Sequence, residues 1–373
     1  MNHRWLKCLA QLFCVTVVVA GNALYAQEVA KLAPAERKEI ETAVAKFMAK
    51  NGAPGISVAV VKGGEYVWAA GFGMADLENS VPATSQTLYR LASLSKPITA
   101  VAAMQLWQQG KLDLDAPVQK YCPAFPEKSE GPITTRELLS HTAGIRHYRR
   151  GPVLDPQVAS TKHLKNPIQD GLDFFKNDPL VSKPGAEFHY STYGYSVIGC
   201  VIEGVTGGEY ADDVTKSVFA PGAMDTARVD DRFAIIPRRT RFYQKDENGN
   251  ILNSDFLDSS YKIPGGGWLA SAEDMAHFEA AMLDDTLVKR STRDLMWTAT
   301  LNKLGKGYGL GFGVTKQDDI VTIAHGGDQQ GTSTFIGMVP AQKLGVVVLI
   351  NMEEVDKSTL GLDLLKILQE SGK

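Results

Sequence analysis

The sequence predicts an α/β chain of the α+β kind. An antiparallel sheet is flanked by helices, and a mostly helical region, about 93–240, is inserted between the sheet-forming ends. Two observations predict this. Strand-like apolar runs gather near both ends, at 56–72 and at 308–351, with connections short enough to require antiparallel neighbours. Between them apolar residues recur at helical spacing, without an internal repeat. Residues 27–373 fit one two-lobed unit better than several small domains.

Residues 1–26 read as a secretory signal. Arg4 and Lys7 supply positive charge, 8–21 is almost uninterrupted apolar chain, and Ala23-Leu24-Tyr25-Ala26 offers small residues for cleavage. The apolar run is too short for a spanning helix to be preferred. The expected location is therefore periplasmic or secreted, with no membrane span once the signal is removed. A polar helix over 34–50 opens the mature chain, and the runs 56–62 and 66–72 around Gly63-Gly64 read as a hairpin. Residues 94–109 are apolar on most faces, so that helix is expected to be buried, with Gly110 as its stop. A strand signal returns at 242–244, and a helix starts at Ser271 with Asp274 closing a capping box. Four strands follow, at 308–315, 320–325, 333–340 and 344–351, with Gly309, Gly311 and Gly313 alternating in the first. A last helix over 359–371 carries Leu360, Leu364, Leu365 and Leu368 as a stripe.

Of 373 residues, 39 are Lys or Arg and 42 Asp or Glu, and the net charge of −3 excludes a basic nucleic-acid-binding surface. Four cysteines occur. Cys122 and Cys200 remain after signal removal and are read as free buried thiols, because two cysteines make no disulfide framework. The seven histidines are scattered and no CxxC or HExxH occurs, so no metal or organic cofactor is expected.

No GxSxG elbow and no Walker A sequence is present. What carries chemistry is Ser93-Leu94-Ser95-Lys96. On a helix, residues three apart share a face, so Ser93 Oγ and Lys96 Nζ can meet. Pro97 belongs in a first turn, which places the helix start close to Ser93. A serine hydroxyl needs a base, and lysine serves as one only where desolvation or a neighbouring cation lowers its pKa. The apolar helix makes that burial reasonable.

The stretch Leu91-Ala92-Ser93-Leu94-Ser95-Lys96-Pro97 resembles the nucleophile motif of the serine β-lactamase and penicillin-binding protein superfamily. Tyr190-Ser191-Thr192 resembles the tyrosine motif of its class C-like branch, and His325-Gly326-Gly327 its Lys-Thr-Gly strand motif in a histidine variant. The segments 133–145 (ITTRELLSHTAGI) and 265–275 (GGGWLASAEDM) are similar to that branch as well. DLDAPVQK, GIRHY, FKNDPL and YSTYGY resemble the mitochondrial serine β-lactamase-like group, regarded as serine peptidases.

The resemblance implies a β-lactamase/transpeptidase-like fold with catalytic Ser93, Lys96 and Tyr190. Ser93 would be acylated, and Lys96 and Tyr190 would shuttle protons, with Tyr190 either held near its phenolate by a Lys96 ammonium or placed in a hydrogen-bonded relay. The backbone N–H groups of Ser93 and Asp328 would form the oxyanion hole, and Gly326 and Gly327 would border the substrate. His325 would stand in for the motif's cationic lysine. Thr192 replaces the usual asparagine, which weakens the case for efficient β-lactam hydrolysis. The expected partner is a small-molecule or peptide substrate, most simply an amide or peptide bond. The rivals are an esterase, a D-amino-acid peptidase or weak β-lactamase, and a non-catalytic binding or self-assembling protein. His141, His189, Tyr193 and Tyr195 are expected to be scaffold groups, and Trp268 either walls the groove or belongs to the core.

Overall fold

The computed structural model describes residues 32–148, 162–299 and 306–371; the signal expected at 1–26 lies outside them. The first described helix, α1 (Pro34–Asn51), leads into the hairpin of β1 (Gly55–Lys62) and β2 (Glu65–Asp76), which turns at Gly63-Gly64 as the sequence requires. The sheet is completed by β3 (Val81–Pro82), β4 (Lys306–Tyr308), β5 (Gly313–Gln317), β6 (Ile320–Gln329), β7 (Thr332–Val339) and β8 (Leu344–Ile350). Its order is β3-β2-β1-β8-β7-β6-β5-β4, and neighbouring strands run antiparallel. Helices α2 (Ser95–Gln108) and α3 (Thr192–Thr206) come from the chain between the two groups of strands.

Both faces of the sheet are covered. Ile56, Val58 and Val60 of β1 meet Ile40 and Val44 of α1 and Leu364 and Leu368 of the last helix, α5 (Lys357–Glu370). Ala59 and Val61, on the opposite face, join Met275, Phe278 and Met282 of α4 (Ala272–Leu283) in the larger core, which extends to α2 and α3. Two-sided burial is why β1 is a continuous apolar run instead of an alternating one. Each fully buried Val or Ile contributes about 1.5–3 kcal/mol. Ser271 caps α4 as expected: its Oγ accepts the Asp274 N–H at 3.1 Å, and Asp274 Oδ2 accepts the Ser271 N–H at 2.9 Å.

Three expectations are corrected. The run 308–315 is not one strand: it breaks between β4 and β5, and Gly309 and Gly311 are points of close approach. A Cβ on Gly309 would sit 2.1 Å from the Met296 carbonyl oxygen, and one on Gly311 2.3 Å from the Ala100 methyl. The strand near 242 is Tyr243–Lys245, which pairs with Ile251–Asn253 in a separate two-stranded sheet. Cys122 and Cys200 are not free: they form a disulfide with a Cα–Cα distance of 5.4 Å. The loop carrying Cys122 lies directly on α3, where a Cβ on Gly204 would collide with the Tyr121 carbonyl oxygen. That contact places Cys122 against Cys200, 78 residues on in sequence and one turn before Gly204 on the helix.

Candidate active site

Ser93 lies in a 3₁₀ turn, Ala92–Leu94, that runs directly into α2. Ala92 adopts φ 49°, a left-handed conformation uncommon for a residue with a Cβ. The turn is held there from the sheet side: a Cβ on Gly327 of β6 would lie 2.6 Å from the Leu91 carbonyl oxygen and 3.1 Å from the Ala92 Cβ. Gly327 is therefore needed for the strand's approach to the serine turn, more than for its approach to a substrate.

Lys96 is fully buried, and its Nζ lies 3.0 Å from Ser93 Oγ and donates to Thr192 Oγ1 at 3.1 Å and the Gly265 carbonyl at 2.8 Å. Among the described residues no carboxylate lies within ion-pair distance of it. Burial, with a smaller contribution from the Lys262 charge, holds its pKa well below the ordinary lysine value. A neutral amine keeps two donors, for Thr192 and Gly265, and leaves a lone pair for the Ser93 proton. Thr192 is thus a support for the lysine.

Tyr190 reaches the same point: its phenol hydrogen-bonds Ser93, and its ring centroid is 4.8 Å from Lys96 Nζ. The expected phenolate is not what this environment favours. Burial raises the Tyr190 pKa, against a smaller opposing contribution from the Ser93 hydrogen bond. Desolvation works against both charges, pushing the lysine toward the amine and the tyrosine toward the phenol.

His325 does not supply the positive charge of the lysine it replaces. Its Nδ1 donates to the Gly326 carbonyl at 2.7 Å, and its Nε2 then accepts from the Tyr308 hydroxyl at 2.9 Å. Burial, reinforced by Lys96, lowers its pKa to about 3, opposed by the Gly326 bond. The Asp328 side chain is ion-paired with Lys357 of α5 and accepts from Ser333 Oγ at 3.2 Å. Gly326, His325 and Asp328 border a 460 Å³ cavity together with Ser93 and Tyr190. Trp268 belongs to the core, donating from Nε1 to Tyr210 at 3.3 Å, and Tyr195 donates to the Leu139 carbonyl at 3.0 Å. Tyr193 is buried and stacks on Phe175. His189 faces Glu187 at 3.1 Å.

Sequence reasoning missed Tyr308, Lys262 and Gln329, and undervalued His141. The His141 carbonyl accepts the His189 N–H at 2.8 Å and its Nδ1 accepts the Ser191 N–H at 3.1 Å, gripping the residues on either side of Tyr190. Its ring lies 4.3 Å from the Tyr190 ring. The spacing of His141 from the tyrosine motif carries no signal of this; only the fold brings them together.

Residues 40–368 match the family model described as Beta-lactamase. The chain belongs to the β-lactamase family. It is 31% identical to the human "Serine beta-lactamase-like protein LACTB, mitochondrial", across 83% of this chain and 76% of that protein. An octameric penicillin-binding protein homologue from Pyrococcus abyssi superposes with TM-score 0.79 and 27% identity, over 90% of this chain and 77% of the other. A D-stereospecific amidohydrolase from Streptomyces sp. does so with TM-score 0.73 and 25% identity, over 87% and 96%. This β-lactamase-family chain is therefore a serine hydrolase of the penicillin-binding protein superfamily, with the antiparallel sheet and flanking helices of that fold.

Proposed function

We propose that the protein is an exported hydrolase that forms an acyl-enzyme on Ser93, acting on amide or peptide substrates. The observation that carries this reading is the buried Lys96 amine 3.0 Å from Ser93 Oγ. The amine takes the Ser93 proton as Oγ attacks the carbonyl carbon, and the backbone N–H groups of Ser93 and Asp328 hold the oxyanion. The Tyr190 phenol donates its proton to the leaving nitrogen, and the Lys96 ammonium returns one to Tyr190. Water then attacks the acyl group, giving its proton back through the same pair, and Ser93 is released. A protonated phenol at this position favours amides, since an amine leaving group needs a proton and an ester alkoxide needs one less. The name of the Streptomyces relative supports the same bond class. Export is supported by the signal pattern at 1–26 and by the Cys122–Cys200 bond, a feature of oxidising compartments. Among the described residues no helix is long and apolar enough to cross a membrane. The expected partner is a small-molecule or peptide substrate; the acidic net charge offers nothing to nucleic acid.

The test is covalent trapping with a fluorophosphonate and mass spectrometry of the digested protein. The adduct is expected on the peptide holding Ser93 and is expected to vanish in Ser93→Ala. An adduct elsewhere, or none on the wild type, overturns the reading.

His141 yields a second expected result. Substituting His141→Leu leaves the Ser191 N–H without its acceptor and frees Tyr190 to shift, and a displacement of about 1 Å costs up to about 100-fold in kcat. KM should change little. His141→Asn should regain most of the loss, because its amide oxygen can accept the same N–H and asparagine tolerates the φ of 61° at this position. Equal loss in both variants would show that the ring packing, not the hydrogen bond, matters.

A further inference from the structure

A cavity of about 900 Å³ opens beside Ser93, lined by Thr192, Gly265, Gly266, Lys262 and Gln329 among others. One of its groups, Gln329, lacks the partners its burial calls for, and another, Lys262, is a cation with no carboxylate beside it among the described residues. Lys262 is 4% exposed and sits 5.7 Å and 5.3 Å from the ring centroids of Tyr148 and Tyr261. Among the described residues no carboxylate lies within ion-pair distance of it. The neighbouring Asp230 is already bound to Arg90 at 2.8 Å. Gln329, at the end of β6, has both amide atoms buried and without any hydrogen-bond partner. An amide in that state costs about 1–3 kcal/mol per unmet group. The two side chains lie together over Gly266, where a Cβ would stand 3.4 Å from Gln329 Oε1 and 3.5 Å from Lys262 Cδ.

We propose that Lys262 and Gln329 form a subsite for a single substrate carboxylate with an adjacent N–H, as carried by an N-acylated amino acid. The inference rests on the hydrolase reading above and names the substrate class for it. The ammonium and the Gln329 Nε2 donate to the carboxylate oxygens, and Gln329 Oε1 accepts the substrate N–H. All unmet groups are then satisfied by one ligand. The cavity is also lined by Asp255, Glu353 and Glu354, which repel a second negative charge and so select a monoanion over a phosphate or a dicarboxylate. Burial, followed by the nearby Arg90, lowers the Lys262 pKa to about 7, opposed by Asp230, and a bound carboxylate would draw its proton back. His325 is neutral, so Lys262 supplies the cation that the strand motif does not.

The test measures how fast a neutral fluorophosphonate labels Ser93 in the full chain, alone and with 10 mM hippurate or its neutral counterpart hippuramide. Hippurate is expected to slow wild-type labelling at least fivefold, and hippuramide less than twofold. Lys262→Met should lose the protection relative to its own unprotected rate, Lys262→Arg should keep it, and Gln329→Leu should weaken it severalfold. Protection that persists in Lys262→Met, or equal effects of hippurate and hippuramide, overturns the subsite while leaving the hydrolase intact. Absence of labelling in the wild type overturns the hydrolase reading itself.

Discussion

Lys96→Met is expected to lower kcat/KM by about 10²- to 10⁴-fold, the range supplied by a positioned general base. The methionine fills a similar volume but offers Ser93 no lone pair. The same variant reports on the charge state of the lysine, through stability. In the unfolded chain Lys96 titrates near its ordinary value of about 10.4, whereas in the folded protein burial holds it well below. Between those two values the unfolded state carries one more proton than the native state, so stability rises with pH. The slope approaches about 1.4 kcal/mol per pH unit from this one group. Wild type should therefore become more stable relative to Lys96→Met as pH climbs from 7 to 9, read from urea midpoints at each pH. The absolute difference at one pH is less informative, because the methionine also leaves the Gly265 carbonyl and Thr192 without their donor, at about 1–3 kcal/mol for each buried group. A pH-independent gap between the two proteins would mean that Lys96 is charged in the native state, and the base role would fall with it.

The part of the site that was legible in the sequence is the part made by local geometry. Ser93 and Lys96 are three residues apart at a helix start marked by Pro97, so their contact follows from the helical repeat alone. Tyr190 and the His325-Gly326-Gly327 strand are distant in sequence, and only the motif resemblance connected them to Ser93. The phenolate alternative rested on a pairwise argument, ammonium beside phenol, that left out what burial does to both. Lys96 is fully buried and Tyr190 partly so, and desolvation shifts the lysine down and the phenol up. Lys262, Gln329 and His141 were illegible for a different reason. Each is an ordinary residue whose significance lies in what it lacks or grips after folding: an ion partner, an amide partner, or the two backbone N–H groups beside a tyrosine.

The sheet followed from apolar runs and turns, and it failed only where glycines were read as strand positions. Gly309 and Gly311 sit in a turn pressed against Met296 and α2, a tertiary contact that an alternating pattern cannot announce. The serine turn depends on a comparable contact, between Gly327 and the Leu91–Ala92 backbone. The strand thus acts as a rigid stop behind the serine, and the left-handed Ala92 persists because the sheet leaves that turn no alternative.

Replacing Cys122 and Cys200 together by alanine is expected to lower stability by about 2–4 kcal/mol. The bond closes a loop of 78 residues, long enough that the chain-entropy cost it removes from the unfolded state falls at the upper end of that range. At about 2 °C per kcal/mol for a chain of this size, the melting temperature should fall by roughly 4–8 °C. Activity at 25 °C should stay within about threefold of wild type. Cys200 lies eight residues along α3 from Thr192, about 12 Å at 1.5 Å per residue, so the bond anchors the helix well away from the end that supports Lys96. Reducing the wild type under mild denaturation should reproduce the variant's melting point. The pairing also speaks to location, because glutathione and thioredoxin keep cytosolic thiols reduced. Protein recovered from its native compartment should resist thiol alkylation at both cysteines until reduced. Two freely alkylated thiols in that sample would remove the bond and, with it, the main structural support for export.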